Sequence, residues 1–278
     1  MKMIGQVGIR AGLWSLSHAA PDLMARWYAE RFTTPRRFPV AWREKDWMRQ
    51  ARPSRLPFDG ADSLALYEWG EGPVVLLVHG FEGRAGQLGG FVAPFVSAGY
   101  RVVAFDAPAH GASDGKRTAI QEMVRALAKV AGHVGPVEAV VAHSLGSTAL
   151  VECLYRGMEA DRAVLIAPPV HPETYLPRIA RHLGISQKAA GRAQALLEAR
   201  HGAPFEDYRP LSAARHLSQP ALILHDEDDR QVPLDEGEKL ARFWPGATLE
   251  MTQSLGHNRI LRDPGVIARA LTFVQTRG

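Results

Sequence analysis

Val137-Glu138-Ala139-Val140-Val141-Ala142-His143-Ser144-Leu145-Gly146 is a β-branched run that meets two polar residues and passes at once into the apolar, helix-forming stretch 145–157. A continuous apolar run of this length suits a strand buried on both faces. A serine on so sharp a strand-to-helix turn has its hydroxyl exposed. The next backbone N–H and the helix N-terminus then face any negative charge that develops there. Ser144 is therefore a candidate nucleophile, with an ordinary helix N-cap as the alternative. Its small neighbours Ala142 and Gly146 let strand and helix pass closely.

Outward from this turn the pattern repeats. Residues 64–69 form an apolar and aromatic run closed by Gly70, Glu71, Gly72 and Pro73, a strand followed by a tight turn. Further strands are expected at 74–78, 101–105, 163–167, 221–224 and 247–251, with helices near 88–98, 118–132, 235–244 and 264–276. This alternation predicts an α/β fold, a mostly parallel, doubly wound sheet with helices on both faces. Sites in such folds lie at the carboxyl ends of the strands.

Composition narrows the function classes. The chain has 278 residues, 46% of them hydrophobic, enough to bury one large core. A single cysteine, Cys153, cannot form an intramolecular disulfide and reads as a small buried hydrophobe. No stretch approaches the roughly 18 apolar residues of a membrane span, so a soluble, cytoplasmic protein is expected. The formal charge of +4 is uneven, because residues 1–57 carry 11 Lys and Arg against 4 Asp and Glu. The remainder is slightly acidic, which argues against a nucleic-acid groove.

Several segments together resemble the α/β-hydrolase superfamily. Ala142-His143-Ser144-Leu145-Gly146 is similar to its Gly-x-Ser-x-Gly nucleophile elbow, with Ala142 in place of the first glycine. His79-Gly80-Phe81 looks like its His-Gly-x oxyanion segment. That resemblance implies that the backbone N–H groups of Phe81 and Leu145 form the oxyanion hole, with His79 holding the loop. Phe105 to Gly115 resembles the architectural Asp-x-Pro-x-x-Gly-x-Ser loop, which leaves Asp106, His110 and Asp114 outside the catalytic set. Gly111 to Lys116 is not a phosphate loop, since Arg117 stands where Ser or Thr is required.

Asp226-Glu227-Asp228-Asp229-Arg230-Gln231-Val232-Pro233 resembles the family's Gly-x-x-Asp-x-x-Val-Pro turn, with Asp226 in the glycine position. Without the Val-Pro anchor, Asp226, Asp228 and Asp229 are equivalent candidates; the resemblance selects Asp229. Gly256-His257 is similar to the family's Gly-His loop, and the order Ser144, Asp229, His257 is the one this fold uses. The resemblance implies a serine hydrolase acting on a small-molecule acyl substrate without metal or other cofactor. Carboxylic-ester cleavage through an acyl-enzyme on Ser144 is the leading expectation. A carbon–carbon bond hydrolase or perhydrolase on the same residues, or a non-catalytic binding protein retaining the fold, are the alternatives.

Two further segments complete the expected organisation. Some 50 residues at about 169–218, with helices near 174–183 and 186–201, exceed what a connection needs, and the resemblance implies that this insertion forms a helical cap over the site. Residues 1–57 read as a basic, Trp-rich helical extension to a main domain spanning 58–278. In it Leu23, Met24, Trp27, Tyr28 and Phe32 are expected on one helix face. Packing on the main domain, a peripheral contact with anionic lipid and self-association are the readings of this extension.

Overall fold

The computed structural model describes residues 2–60 and 62–276. Eight strands form one sheet: β1 (Arg52–Pro57), β2 (Ser63–Trp69), β3 (Val74–Val78), β4 (Arg101–Phe105), β5 (Val137–His143), β6 (Arg162–Ile166), β7 (Ala221–Asp226) and β8 (Ala247–Thr252). Among the described residues the helices in chain order are α1 (Lys2–Ala19), α2 (Pro21–Thr33), α3 (Trp42–Gln50), α4 (Val92–Ser97), α5 (Ile120–Val134) and α6 (Leu145–Tyr155). They continue with α7 (Pro172–Leu183), α8 (Gln187–His201), α9 (Pro210–Ala214), α10 (Leu234–Phe243), α11 (Gly256–Arg259) and α12 (Pro264–Gln275).

The sheet order is β1-β2-β4-β3-β5-β6-β7-β8. Pairings involving β2 are antiparallel and all others parallel. β3 is buried along its whole length because it lies inside the sheet with helices on both sides. Its alternate residues serve different faces. Val75 and Leu77 join Val141, Ile166 and Leu224 in a core closed by Phe91, Phe95 of α4 and Val266 and Ala270 of α12. Leu76, Val103, Val140 and Leu165 point the other way and are also fully buried, on the side where α5 and α6 pack together. α5 suits that position because Ile120, Met123, Val124, Leu127 and Val130 recur at helical spacing. Gly135, at φ +92°, stops it.

Two compact units divide the chain. The sheet unit comprises Pro35–Val170 and the chain from Pro210, so α3 and β1 belong to it. β1 carries no alternation signal because only Leu56 is buried. An edge strand tolerates Pro53 and Pro57, which cannot donate to a central ladder.

The other unit joins the chain through Thr34 to His171–Arg209. Here α2 packs on α8, with Met24, Ala25, Tyr28 and Ala29 buried on one side and Ala189, Ala193 and Leu197 on the other. Ion pairs Asp22–Arg192 and Glu30–Arg200, both 2.7 Å, flank that seam. The Tyr28 hydroxyl donates to the Leu176 carbonyl at 2.7 Å. Ser186 caps α8 and donates two hydrogen bonds to Ser17 of α1, from its N–H to the Ser17 hydroxyl and from its hydroxyl to the Ser17 carbonyl. The expected apolar face of α2 is thus split: Met24 and Tyr28 are buried, whereas Leu23 and Trp27 face outward.

Truncating a side chain in β3 leaves a cavity that a two-sided sheet cannot close. Leu76→Ala is expected to cost about 2–5 kcal/mol, seen as a lower urea midpoint with an unchanged slope.

Candidate active site

β5 runs straight into Ser144, whose φ of +51° and ψ of −127° form a backbone conformation that few L-amino acids adopt. The turn is held by Ser144 N–H donating to the Ile166 carbonyl at 2.9 Å. It also requires Gly146, where a Cβ would lie 2.5 Å from the His79 carbonyl oxygen and 2.9 Å from that of Val78. Ala142 is a tolerated departure from glycine: its methyl is fully buried in register between Val78 and Leu165.

The sequence-selected residues meet at the carboxyl ends of the strands. His257 Nε2 lies 3.0 Å from Ser144 Oγ, and His257 Nδ1 lies 2.6 Å from Asp229 Oδ2. An ionised carboxylate only accepts, so in the neutral imidazole Nδ1 carries the proton and Nε2 accepts from the serine hydroxyl. Burial alone would raise the Asp229 carboxyl. The bond and charge of His257 and the N–H groups of Val232 and Gln231 outweigh it and hold Asp229 below the ordinary range.

Of the three acids left open by the local sequence, only Asp229 bonds to His257. Asp228 accepts from Ser254 N–H at 3.0 Å instead. Asp226 is fully buried and serves the histidine loop: it accepts from Asp228 N–H, Thr252 hydroxyl, Leu255 N–H and Gly256 N–H at 2.7–3.1 Å. Its weight in positioning His257 was missed in the sequence, whose only signal was an acid standing where a glycine was expected. Beside these loops a cavity of about 580 Å³ opens against His257, with Arg230, Gln231, Asn258 and Arg259 in its wall.

Gly80 runs against the serine; a Cβ there would come 2.7 Å from Ser144 Cβ. Among the described residues, neither Phe81 N–H nor Leu145 N–H has a protein acceptor. The segment is clamped by two histidines with the same bonding logic. His79 Nδ1–H donates to the Gly80 carbonyl and Nε2 accepts from Ala107 N–H. His110 Nδ1–H donates to the Pro108 carbonyl and Nε2 accepts from Glu82 N–H. Glu82, itself at φ +58°, is gripped by Arg36 through both carboxylate oxygens. The Arg37 guanidinium spans the carbonyls of Ala109, Gly111, Ser113 and Gly115. Asp106 accepts from Ala85 and Ala112 N–H, and Asp114 from Ser63, so both organise loops away from His257. Among the described residues, no group of three or more His, Cys, Asp or Glu side chains converges in a metal-holding arrangement.

The sequence model of the alpha/beta hydrolase family matches residues 75–270. The chain belongs to this enzyme family. It is 25% identical to the uncharacterized hydrolase YugF of Bacillus subtilis, over 73% of this chain and 90% of that protein. Solved structures of the same fold include the Pyrococcus furiosus esterase Pf2001 (TM-score 0.66, 20% identity, 87% of this chain and 98% of that one). Another is the thioesterase domain from the curacin biosynthetic pathway (TM-score 0.61, 18% identity, 81% and 99%).

Burial pushes His79 down to about 4 and His110 and His143 down to about 3. His143 keeps its Nε2–H on the His257 carbonyl at 2.9 Å. These three rings stay neutral in the folded chain while the unfolded chain protonates near 6.5. The unfolded state therefore binds more protons below that pH, and stability falls as pH drops toward 4, by about 2 kcal/mol per ring at pH 5. Asp106, raised by burial, opposes the trend at its acid end. Urea melts at pH 7.5 and 5 check it: the midpoint is expected to fall sharply on acidification.

Proposed function

We propose that the protein is a serine hydrolase that cleaves a carboxylic ester through an acyl-enzyme on Ser144. The observation that carries this reading is the continuous hydrogen-bonded line from Asp229 through His257 to Ser144 Oγ. In this scheme Ser144 Oγ attacks the ester carbonyl carbon while its proton passes to His257 Nε2. Asp229 holds the Nδ1 tautomer and stabilises the imidazolium, without itself taking the proton.

The carbonyl oxygen becomes an oxyanion, and Phe81 and Leu145 N–H are its donors; each such donor is worth about 3 kcal/mol in related chemistry. Collapse expels the alkoxide, which takes the proton from His257, and leaves the acyl group on Ser144. Water then attacks the acyl carbon and gives its proton to His257. Breakdown returns that proton to Ser144 and releases the carboxylic acid. Neutral His143, in ring contact with His257 at 4.7 Å, adds no competing positive charge when the imidazolium forms.

A binding protein that merely kept the fold has no physical need for a serine at φ +51°. Strain of this kind costs about 1–3 kcal/mol and persists where it orients a reacting group.

The test is fluorophosphonate labelling together with hydrolysis of a p-nitrophenyl ester chain-length series. Wild type is expected to label at Ser144 and turn over short esters. Ser144→Ala should lose labelling and about four orders of magnitude or more in kcat. Specific labelling retained in Ser144→Ala rejects the assignment.

A further inference from the structure

We propose that the outer faces of α1 and α2 form a docking surface for a membrane rich in anionic lipid. Leu23 and Trp27 of α2 are 60% and 42% exposed; on α1 Trp14 is 57% exposed on one flank, and Ile9 and Leu16 are 65% and 41% exposed on another. Packing of α2 does not explain Leu23 and Trp27, because that helix buries Met24, Ala25, Tyr28 and Ala29 instead.

The charges around them are of one effective sign. Leu23 and Trp27 are four residues apart on one side of α2. Arg26 lies three residues beyond Leu23 and Arg31 four beyond Trp27, so both flank the pair. Arg10 stands four residues before Trp14 on α1. Among the described residues, none of these three arginines has an ion-pair partner, whereas the two acids of α2, Asp22 and Glu30, are neutralised by Arg192 and Arg200. The unit holding these helices carries ten Lys and Arg against six Asp and Glu, so the chain's whole surplus of +4 falls there.

Tryptophan and leucine interleaved with arginine suit the headgroup boundary, where the rings enter the acyl edge and guanidinium groups reach phosphate. Negative surface potential then adds attraction that salt screens. A second copy of the chain is a poorer occupant. A two-fold contact would set the same arginines against each other, and the centres of such interfaces are depleted in charge. Trp47, by contrast, is a packing residue: its ring fills the space over Gly89 and its carbonyl accepts from Trp69.

Co-sedimentation of the full chain with vesicles of phosphatidylcholine, alone or mixed with phosphatidylglycerol, tests the surface. The wild type should pellet with the mixed vesicles, be released by raised salt, and stay in solution with phosphatidylcholine alone. Leu23→Ser with Trp27→Ser, and separately Arg10, Arg26 and Arg31 to Gln, should each weaken the partition at least tenfold. Turnover of a water-soluble ester and the thermal melt should stay unchanged. Wild type remaining in solution with both vesicles overturns the proposal. So does binding that ignores lipid charge, or a concentration-dependent dimer that the Leu23 and Trp27 changes abolish, which would assign the face to self-association.

Discussion

The close passage of the α6 N-terminus over the end of β3 constrains everything around the site. Gly146 sits where a single added carbon would strike the His79 and Val78 carbonyls. Ser144 accepts a positive φ so that chain direction can reverse from strand to helix within one residue. That geometry is affordable only because β5 lies inside the sheet, buried at every residue except Glu138 and laddered on both sides by β3 and β6. A surface turn with the same dihedral angles would relax.

Rigidity around this turn comes from neutral histidines used as two-ended clamps. His79 and His110 each donate one ring N–H to a carbonyl and accept one backbone N–H with the other nitrogen, which ties the segment 79–82 to the loop 106–110. An imidazole can do this only while uncharged, and burial keeps it so. The same burial makes the clamps acid-sensitive. Arg36 and Arg37 reinforce them from outside, where a guanidinium fork can hold several oxygens at once.

On the acid side, Asp226 and Asp229 divide the labour. Asp226 gathers four donors from the loops after β7 and β8, while Asp229 keeps one oxygen for backbone N–H groups and the other for His257. Both carboxylates are held below their ordinary range despite burial, because each hydrogen bond favours the charged form.

The parallel core and its helices were legible in the sequence as local signals, whereas Ser144, Asp229 and His257 were singled out together only through the family resemblance, and the fold brings them within hydrogen-bond distance. Buried strands read as unbroken apolar runs, and Val232-Pro233 marks the turn whose N–H groups bind Asp229. Other features were decided only by the tertiary structure. The partners of Asp226 lie up to 30 residues away. The first strand exposes all but one of its residues, so no period announces it. On α2, which packs on α8 some 170 residues on, Met24 and Tyr28 are buried while their neighbours Leu23 and Trp27 stay exposed. Sequence pattern records how much of a residue is apolar and how often it recurs. Which neighbour covers it is settled by contacts between segments far apart in the chain.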